Sequence, residues 1–331
     1  MSVIVQEAVA ERASALTRPV LSLVIPMFNE SGNVDRLFER LEVVLKDIGV
    51  PYEIVCVDDG SRDDTVARVV EHNRRDARIK IVELSRNFGK ELALTAGLQH
   101  TSGEAVVMID ADLQHPPEMI KDMLAKWRDG YEMVIAVRRD RENESAIKRL
   151  FAQSFYWLFE RISEIRLPPG AGDFRLLDRK VVDVLNAMPE HTRFMKGLYA
   201  WVGFKQVTMP YDVAPRAAGE TKFNLLRLWR LAIDGITSFT AVPLKVWTFV
   251  GMLAAFFGLF YGLVIIAKTL VLGIDVPGYA SLMVAVLFFG GIQLISLGVI
   301  GEYLGRVFSE VKQRPLYVVR NAIGFVEPPK G

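Results

Sequence analysis

Two long stretches without a charged side chain constrain this sequence more than any other feature. Residues 246–267 run for 22 residues, and residues 276–301 for 26, without Asp, Glu, Lys or Arg. A helix of roughly 20 apolar residues is long enough to cross the hydrocarbon core of a bilayer. Two buried helices of a soluble core are the alternative, but core helices of that length normally carry a polar face, and neither stretch does. The sequence therefore predicts two transmembrane helices, over residues 244–272 and 276–304.

The charges outside these stretches predict the orientation. Basic side chains flank the outer ends of the two spans: Arg227, Arg230, Lys245, Arg306, Lys312, Arg314 and Arg320. Because loops rich in Lys and Arg stay on the cytoplasmic side, the charged part of the chain is predicted to be cytoplasmic. The expected location is the cell inner membrane, which the chain crosses more than once.

Composition excludes several classes of protein. Lys and Arg (40) balance Asp and Glu (39), so no chain-wide basic field points to nucleic acid. The lone Cys56 cannot form an internal disulfide or a cysteine-rich metal site. Residues 1–18 lack the apolar segment of a signal peptide and are interpreted as a tail, as are residues 305–331 after the second span.

The remaining residues show the alternation of a parallel α/β domain. Five short β-rich runs precede the spans, at residues 21–25, 52–57, 79–84, 105–109 and 131–137. Segments of helical period separate them, which is the rhythm of a doubly wound parallel sheet. Ligands of such sheets bind at the carboxyl ends of the strands, so the residues after each run are the candidate site.

Two common nucleotide-binding motifs are missing from this sequence. The first run is followed by Met27-Phe28-Asn29-Glu30, where a dinucleotide-binding domain would carry G-x-G-x-x-G. The P-loop pattern G-x-x-x-x-G-K-[ST] does not occur either. Hydride transfer and Walker-type phosphate binding are therefore not supported.

The acids after the fourth run predict a metal site. Asp110 and Asp112 are two residues apart, so an extended backbone would point both carboxylates to one side, with Gln114 continuing that face. Three hard oxygen ligands suit Mg²⁺ or Mn²⁺, with positions left for substrate phosphates. The alternative for a lone D-x-D is a solvated turn.

A second acid pair, Asp58 and Asp59, follows the second run and leads into Gly60 and Ser61. Its carboxylates can accept hydrogen bonds from a base or a ribose. The alternative is an Asx turn and helix capping.

Six ordered stretches resemble glycosyltransferase family 2, and within it the polyisoprenyl-phosphate glucosyltransferases and dolichyl-phosphate mannose synthase. They are VIPMFNE at 24–30, VDDGS at 57–61, LSRNFGK at 84–90, DADLQ at 110–114, DFRLL at 173–177 and RAAGETKF at 216–223. The resemblance implies a GT-A, Rossmann-like nucleotide-sugar domain over residues 19–223.

The resemblance also implies roles for particular residues. Those expected to hold the nucleoside are Pro26, Glu30, Asp58 and Asp59. Those expected to hold the metal and the diphosphate are Asp110, Asp112 and Gln114. Those that could bind the donor and acceptor phosphates are Arg139, Arg175, Arg216 and Lys222. The alternative for each of these side chains is a solvated surface charge.

The chemistry implied is inverting transfer of one sugar from a nucleotide sugar to a polyprenyl phosphate. The acceptor is largely anionic at neutral pH, since its second phosphate pKa is about 6, so it needs no strong base. Asp173 is the alternative candidate for a base. Residues 224–243 form an amphipathic segment that can bring the site to the lipid phosphate.

The sequence leaves the donor and the assembly open. UDP-glucose rests on the resemblance alone, with GDP-mannose, UDP-galactose, UDP-N-acetylglucosamine and an aminoarabinose nucleotide as alternatives. A membrane-tethered nucleotide-sugar sensor without activity is the alternative from another class. A homo-oligomer is compatible with the sequence.

Overall fold

The computed structural model describes most of the chain, namely residues 19–139, 161, 170–188, 190–191, 193–212, 240–272 and 278–325. Three predicted features lie outside these residues: the N-terminal tail, most of the segment 224–243, and the loop that carries Arg216 and Lys222.

The described residues form one mixed sheet with helices on both faces. The strands are β1 (Leu21–Met27), β2 (Tyr52–Asp58), β3 (Ile79–Leu84), β4 (Ala105–Met108), β5 (Met133–Arg138), β6 (Ala171–Asp178), β7 (Gln206–Tyr211) and β8 (Val319–Ile323). The helices are α1 (Val34–Ile48), α2 (Thr65–Arg75), α3 (Lys90–Gln99), α4 (Met119–Arg128), α5 (Arg179–Ala187), α6 (Met195–Trp201), α7 (Val242–Leu272) and α8 (Tyr279–Val311).

The five predicted strands are confirmed, but the sheet is not wholly parallel. Its order is β7-β5-β6-β4-β1-β2-β3-β8. Strand β6 lies antiparallel between β4 and β5, and β8 lies antiparallel to β3. Strand β6 therefore begins at the edge where β4 and β5 end. This reversed strand brings Asp173 and Arg175 to the carboxyl edge of the parallel strands.

Helices cover both faces of the sheet and bury its central strands. Side chains of α1 and α4 pack on one face, and side chains of α3, α5 and α6 on the other. All of β1 is buried except Pro26, which is half-buried. A strand covered on both sides is nearly all apolar, as the sequence of β1 is. The sheet is therefore a fixed base for the loops at its carboxyl edge.

Helices α7 and α8 are the predicted spans. Both are long and apolar enough to cross a membrane, and none of the described residues in their apolar stretches is buried inside the structure. They contact each other, and the Tyr303 hydroxyl donates to the Thr240 carbonyl at 2.7 Å. Helix α8 continues seven residues beyond the predicted end at residue 304, to Val311.

The C-terminal segment returns to the sheet after α8. Strand β8 pairs with β3, and Arg320 binds Glu83 at 2.8 Å. Tyr317 and Phe325 pack against the apolar cluster under α3. The predicted tail, 305–331, is thus helical at its start and then supplies an edge strand of the domain.

We expect a chain that ends at Gln313 to be less stable than one that ends at Phe325. The shorter chain loses β8 and exposes apolar side chains beneath it, whose burial contributes about 1.5–3 kcal/mol each. A loss of that size lowers the unfolding temperature of such a domain by about 5 °C or more. Thermal unfolding of both truncated proteins in detergent measures the difference, and equal unfolding temperatures would contradict it.

Candidate active site

The loops after β1 and β2 are joined by hydrogen bonds. The backbone N–H of Asn29 donates to Ser61 Oγ at 2.9 Å, and the N–H of Arg62 donates to Asn29 Oδ1 at 2.8 Å. The N–H of Glu30 donates to Thr65 Oγ1 at 2.9 Å. Asn29 has a positive φ of 56°, a conformation that asparagine tolerates better than most residues. The two loops therefore form one rigid wall of the site.

Asp58 and Asp59 differ in what their carboxylates bind. Asp58 Oδ2 accepts from the N–H groups of Gly60 and Ser61 at 3.1 and 3.0 Å, so the Asx turn is present. Its buried Oδ1 has no hydrogen-bond partner among the described residues. Burial raises the pKa of Asp58. Asp58 therefore keeps one oxygen for a ligand.

Asp59 is occupied by the loop before α3. Its two oxygens accept from the N–H groups of Phe88 and Gly89, at 2.7 and 2.9 Å. The side chain is buried, and burial raises its pKa against these two hydrogen bonds. The predicted contact between Asp59 and a nucleoside stays a prediction, and the structure gives Asp59 the additional role of fixing this loop.

Asp110, Asp112 and Gln114 lie in a turn after β4. Strand β4 ends at Met108, and Leu113 has a positive φ of 62°. The extended backbone predicted here is therefore wrong, because Ala111 and Asp112 form a turn and Leu113 is left-handed. The N–H of Gln114 donates to Asp112 Oδ1 at 3.1 Å, which holds the turn closed.

The negative charge of the turn acts on Glu30 in the neighbouring loop. Burial raises the pKa of Glu30, and both Asp112 and Asp110 raise it further, against a hydrogen bond from Asn33. These acids therefore lie close enough to create a shared negative potential. His115 supports the turn: it is buried against Phe174, with ring centres 5.0 Å apart.

Lys90 is the nearest cation to this cluster in the contacts described. Its Nζ lies 2.6 Å from Asp110 Oδ1 and 2.8 Å from Asp173 Oδ2. Although the side chain is partly exposed, desolvation of the ammonium group lowers the pKa of Lys90, and the two carboxylates outweigh this and raise it. No role was predicted for Lys90, although it is the last residue of one of the family stretches.

Asp173 lies on β6 beside Lys90 and is almost buried. Burial opposes its ionisation, but the ammonium groups of Lys90 and Lys196 hold the pKa of Asp173 well below its usual range. Burial and the charge of Asp173 raise the pKa of the neighbouring Glu91 to about 7. A carboxylate with a lowered pKa is a weak proton acceptor, so this environment does not favour Asp173 as a general base.

Arg175 is placed inside the domain. It is 2% exposed, its Nη2 donates to the Gly172 carbonyl at 2.5 Å, and its guanidinium carbon lies 3.9 Å from the centre of the Tyr199 ring. Burial lowers its pKa. The predicted contact between Arg175 and a substrate phosphate stays a prediction. In the structure the side chain braces β6 beneath Asp173.

At the end of β5, Arg138 contacts the acidic turn, and the predicted contact between Arg139 and a substrate phosphate stays a prediction. Arg138 Nη2 donates to Gln114 Oε1 at 3.1 Å. Arg139 points to Asp212, 3.6 Å away, and both of those side chains are largely exposed. The sequence could not separate these adjacent arginines because side-chain direction at a strand end depends on the fold.

A divalent cation fits this set of donors. Asp110 and Asp112 supply carboxylates, Gln114 supplies an amide oxygen, and a cationic ammonium group already binds Asp110. Among the described residues no three His, Cys, Asp or Glu side chains form a metal cage. Mg²⁺ is usually held by one or two carboxylates together with substrate phosphates, which this set allows. The Gln114 Oε1 atom has two lone pairs, so it can accept from Arg138 and still offer one lone pair to an ion.

Comparisons with known proteins match both parts of the chain. The family model described as glycosyl transferase family 2 matches residues 22–185, and the one described as GtrB C-terminal hairpin matches residues 242–307. An uncharacterized glycosyltransferase of Synechocystis sp. is 55% identical over 304 residues, 92% of this chain and 96% of that protein. The chain belongs to glycosyltransferase family 2.

Other members of the family carry more specific names. The SfII prophage-derived bactoprenol glucosyl transferase of Shigella flexneri is 43% identical over 302 residues, 91% of this chain and 98% of that protein. Among solved structures is the mannosyltransferase PcManGT from Pyrobaculum calidifontis in complex with GDP-Man and Mn²⁺. Its TM-score is 0.45 at 20% sequence identity, and the match covers 65% of this chain and 61% of the PcManGT chain. Membership of glycosyltransferase family 2 confirms the predicted GT-A fold.

Proposed function

We propose that this glycosyltransferase moves one glucose, with inversion, from UDP-glucose to a polyprenyl phosphate such as undecaprenyl phosphate. The observation that carries the proposal is the near full-length similarity to proteins named bactoprenol glucosyl transferase, at 43% identity. The acidic turn beside the β1 and β2 loops gives the site for a nucleotide sugar. The two apolar helices give the membrane contact that a lipid acceptor needs.

The donor would lie across the carboxyl edge of the sheet. In this proposal Pro26, Glu30 and the unpartnered oxygen of Asp58 contact the nucleoside, while Asp59 holds the wall of the pocket. Asp110, Asp112 and Gln114 would hold Mg²⁺ or Mn²⁺ with the diphosphate. When bound, such an ion neutralises the charge that builds up on a departing diphosphate.

The acceptor phosphate oxygen attacks the anomeric carbon as the bond between that carbon and the diphosphate breaks. The attacking oxygen is already anionic near neutral pH, so no proton has to be removed. The low pKa of Asp173 agrees with this, because the residue can stay ionised without acting as a base. Arg216 and Lys222, which lie outside the described residues, remain the proposed contacts for the acceptor phosphate.

The proposed location is the inner membrane, with the catalytic domain in the cytoplasm. The basic side chains that flank α7 and α8 support this orientation through the positive-inside rule. Nucleotide sugars are then on the same side as the site. The His191 N–H donates to the Glu310 carboxylate at 2.9 Å, which links the catalytic domain to the end of α8.

A donor panel tests the function. Purified protein in detergent is incubated with undecaprenyl phosphate, Mg²⁺ and one of UDP-glucose, UDP-galactose, UDP-N-acetylglucosamine or GDP-mannose, and the lipid is weighed by mass spectrometry. We expect one added hexose with UDP-glucose, and never a second. A product with another donor alone would replace glucose in the proposal. Nucleotide binding without product from any donor would support the sensor.

We expect Arg138→Met to impair the reaction more than Arg139→Met. Arg138 donates to Gln114 of the acidic turn through an exposed hydrogen bond worth about 1 kcal/mol, so the loss in kcat/KM for UDP-glucose should be about fivefold. Arg139 binds an exposed acid, and such pairs contribute about 1 kcal/mol or less. Steady-state kinetics with both variants gives the comparison. A larger loss for Arg139→Met would reverse the assignment.

A further inference from the structure

Lys90 is fixed at its backbone by the loop that precedes it. It is the first residue of α3 and follows Gly89, whose φ is +102°. The N–H groups of Phe88 and Gly89 are both bound by Asp59. The start of α3 is therefore held to the end of β2, and the Lys90 side chain leaves the helix from a defined point.

The Lys90 side chain joins two carboxylates from separate parts of the chain. Its Nζ lies 2.6 and 2.8 Å from the two oxygens of Asp110, in the turn after β4. It also lies 2.8 Å from Asp173 Oδ2, on β6. An ammonium group has three protons to donate, so one lysine can bind both acids at once. Without this cation the two carboxylates would repel each other.

A metal ion at the proposed site would bind the same oxygens of Asp110. Asp110 is one of the two carboxylates of the proposed metal site, and Lys90 already covers both its oxygens. Asp173 is 15% exposed, and its other oxygen is buried without a partner among the described residues. Asp173 is therefore held mainly from the side of Lys90. The lysine side chain is 44% exposed, which leaves room for it to move.

We propose that Lys90 is a positioning residue, a role that rests on the metal site of the proposed function. Lys90 binds Asp110 before the metal enters and holds Asp173 afterwards. A divalent cation held by Asp110 and Asp112 would take the place of the ammonium group at Asp110. Lys90 stays bound to Asp173 and remains beside the place where the diphosphate would lie. The lysine thus competes with the metal for Asp110. When no metal is bound, its ammonium group neutralises the charge of the carboxylates.

Direct binding of Mn²⁺ without donor tests this competition. Free Mn²⁺ is measured by electron paramagnetic resonance with full-length protein in detergent. We expect Lys90→Gln to bind Mn²⁺ on the order of tenfold more tightly, because a positive charge next to the ion has been removed. We expect Lys90→Arg, which keeps the charge, to stay near the wild-type affinity. Lys121→Gln, at an exposed pair with Asp47, is the control.

The direction of the change separates this role from a structural one. If Lys90 only supported the fold, Lys90→Gln would disorder Asp110 and weaken Mn²⁺ binding. Weaker or unchanged binding in Lys90→Gln would therefore overturn the proposal, as would equal behaviour of the Gln and Arg variants. At saturating Mn²⁺ we also expect kcat for transfer to fall about tenfold, since Asp173 is no longer held.

Two further variants keep the proposal testable if Lys90→Gln does not fold. Asp173→Asn leaves Lys90 to bind Asp110 alone, so Mn²⁺ binding should weaken, and unchanged affinity would overturn the proposal. Asp112→Asn reports on the metal site itself. If Asp112→Asn binds Mn²⁺ as well as the wild type does, the metal site of the proposed function is wrong, which is a different failure from that of Lys90.

Discussion

Asp112→Asn should lower kcat/KM for sugar transfer by about 10³-fold, the loss that removal of one main electrostatic stabiliser of a transition state produces. Asp112 is one of two carboxylates in the turn after β4, and its Oδ1 also closes that turn by accepting from Gln114 N–H at 3.1 Å. The asparagine keeps an oxygen for this hydrogen bond but loses the charge that a divalent cation needs.

The matched control for Asp112→Asn is Asp122→Asn. Asp122 is an exposed acid of α4, ten residues further along the chain. We expect its variant to keep wild-type kinetics and both variants to keep the wild-type unfolding temperature. If Asp112→Asn loses less than tenfold while its metal requirement is unchanged, the acidic turn is not the metal site.

Gly60→Ala should be the most damaging small substitution in the site loops. An added Cβ would lie 2.6 Å from the Arg86 carbonyl carbon and 2.7 Å from the Asn87 nitrogen, and Gly60 has a positive φ of 74°. The left-handed backbone costs about 1–2 kcal/mol for a residue with a Cβ, and overpacking costs about 1–3 kcal/mol more. The free energy of unfolding should therefore fall by about 2–5 kcal/mol.

The clash in Gly60→Ala should also lower the rate of sugar transfer. Arg86 and Asn87 belong to the loop that Asp59 fixes and that leads into Lys90, so kcat should fall together with stability. Gly130→Ala is the control, since Gly130 also has a positive φ, of 88°, but nothing within 4 Å of its added Cβ. Denaturant unfolding of both variants separates two effects. Gly130→Ala measures the backbone strain alone, and Gly60→Ala measures the same strain together with the close contact. Equal losses would contradict the close approach of the two loops.

Much of the fold could be predicted because its signals are local. The five runs that form β1 to β5 are apolar and short, and the two spans are uncharged over more than 20 residues each. Strands β6, β7 and β8 could not be predicted in the same way. Strand β6 is reversed between β4 and β5, and β8 pairs with a strand more than 230 residues away, so both depend on tertiary pairing.

Part of the candidate site could be predicted from the order of the strands. Parallel strands end at one edge, so Asp58 and Asp110 were expected near each other. Lys90 and Arg138 could not be predicted, because each acts through a contact that only the folded chain creates. The sequence also offered no way to separate the roles of neighbouring acids. Asp58 and Asp59 were predicted to act as a pair, whereas backbone N–H groups of the loop before α3 take both oxygens of Asp59.

Transfer of radiolabelled glucose from UDP-glucose to undecaprenyl phosphate is the direct test of the proposed reaction. Purified protein in detergent is assayed with Mg²⁺, with Mn²⁺ and with a chelator, and label is counted in the organic phase. The account predicts labelled lipid that requires the metal and the acceptor and is lost in Asp112→Asn but kept in Asp122→Asn. Full labelling in the chelator, or none with a folded protein under any condition, would contradict it.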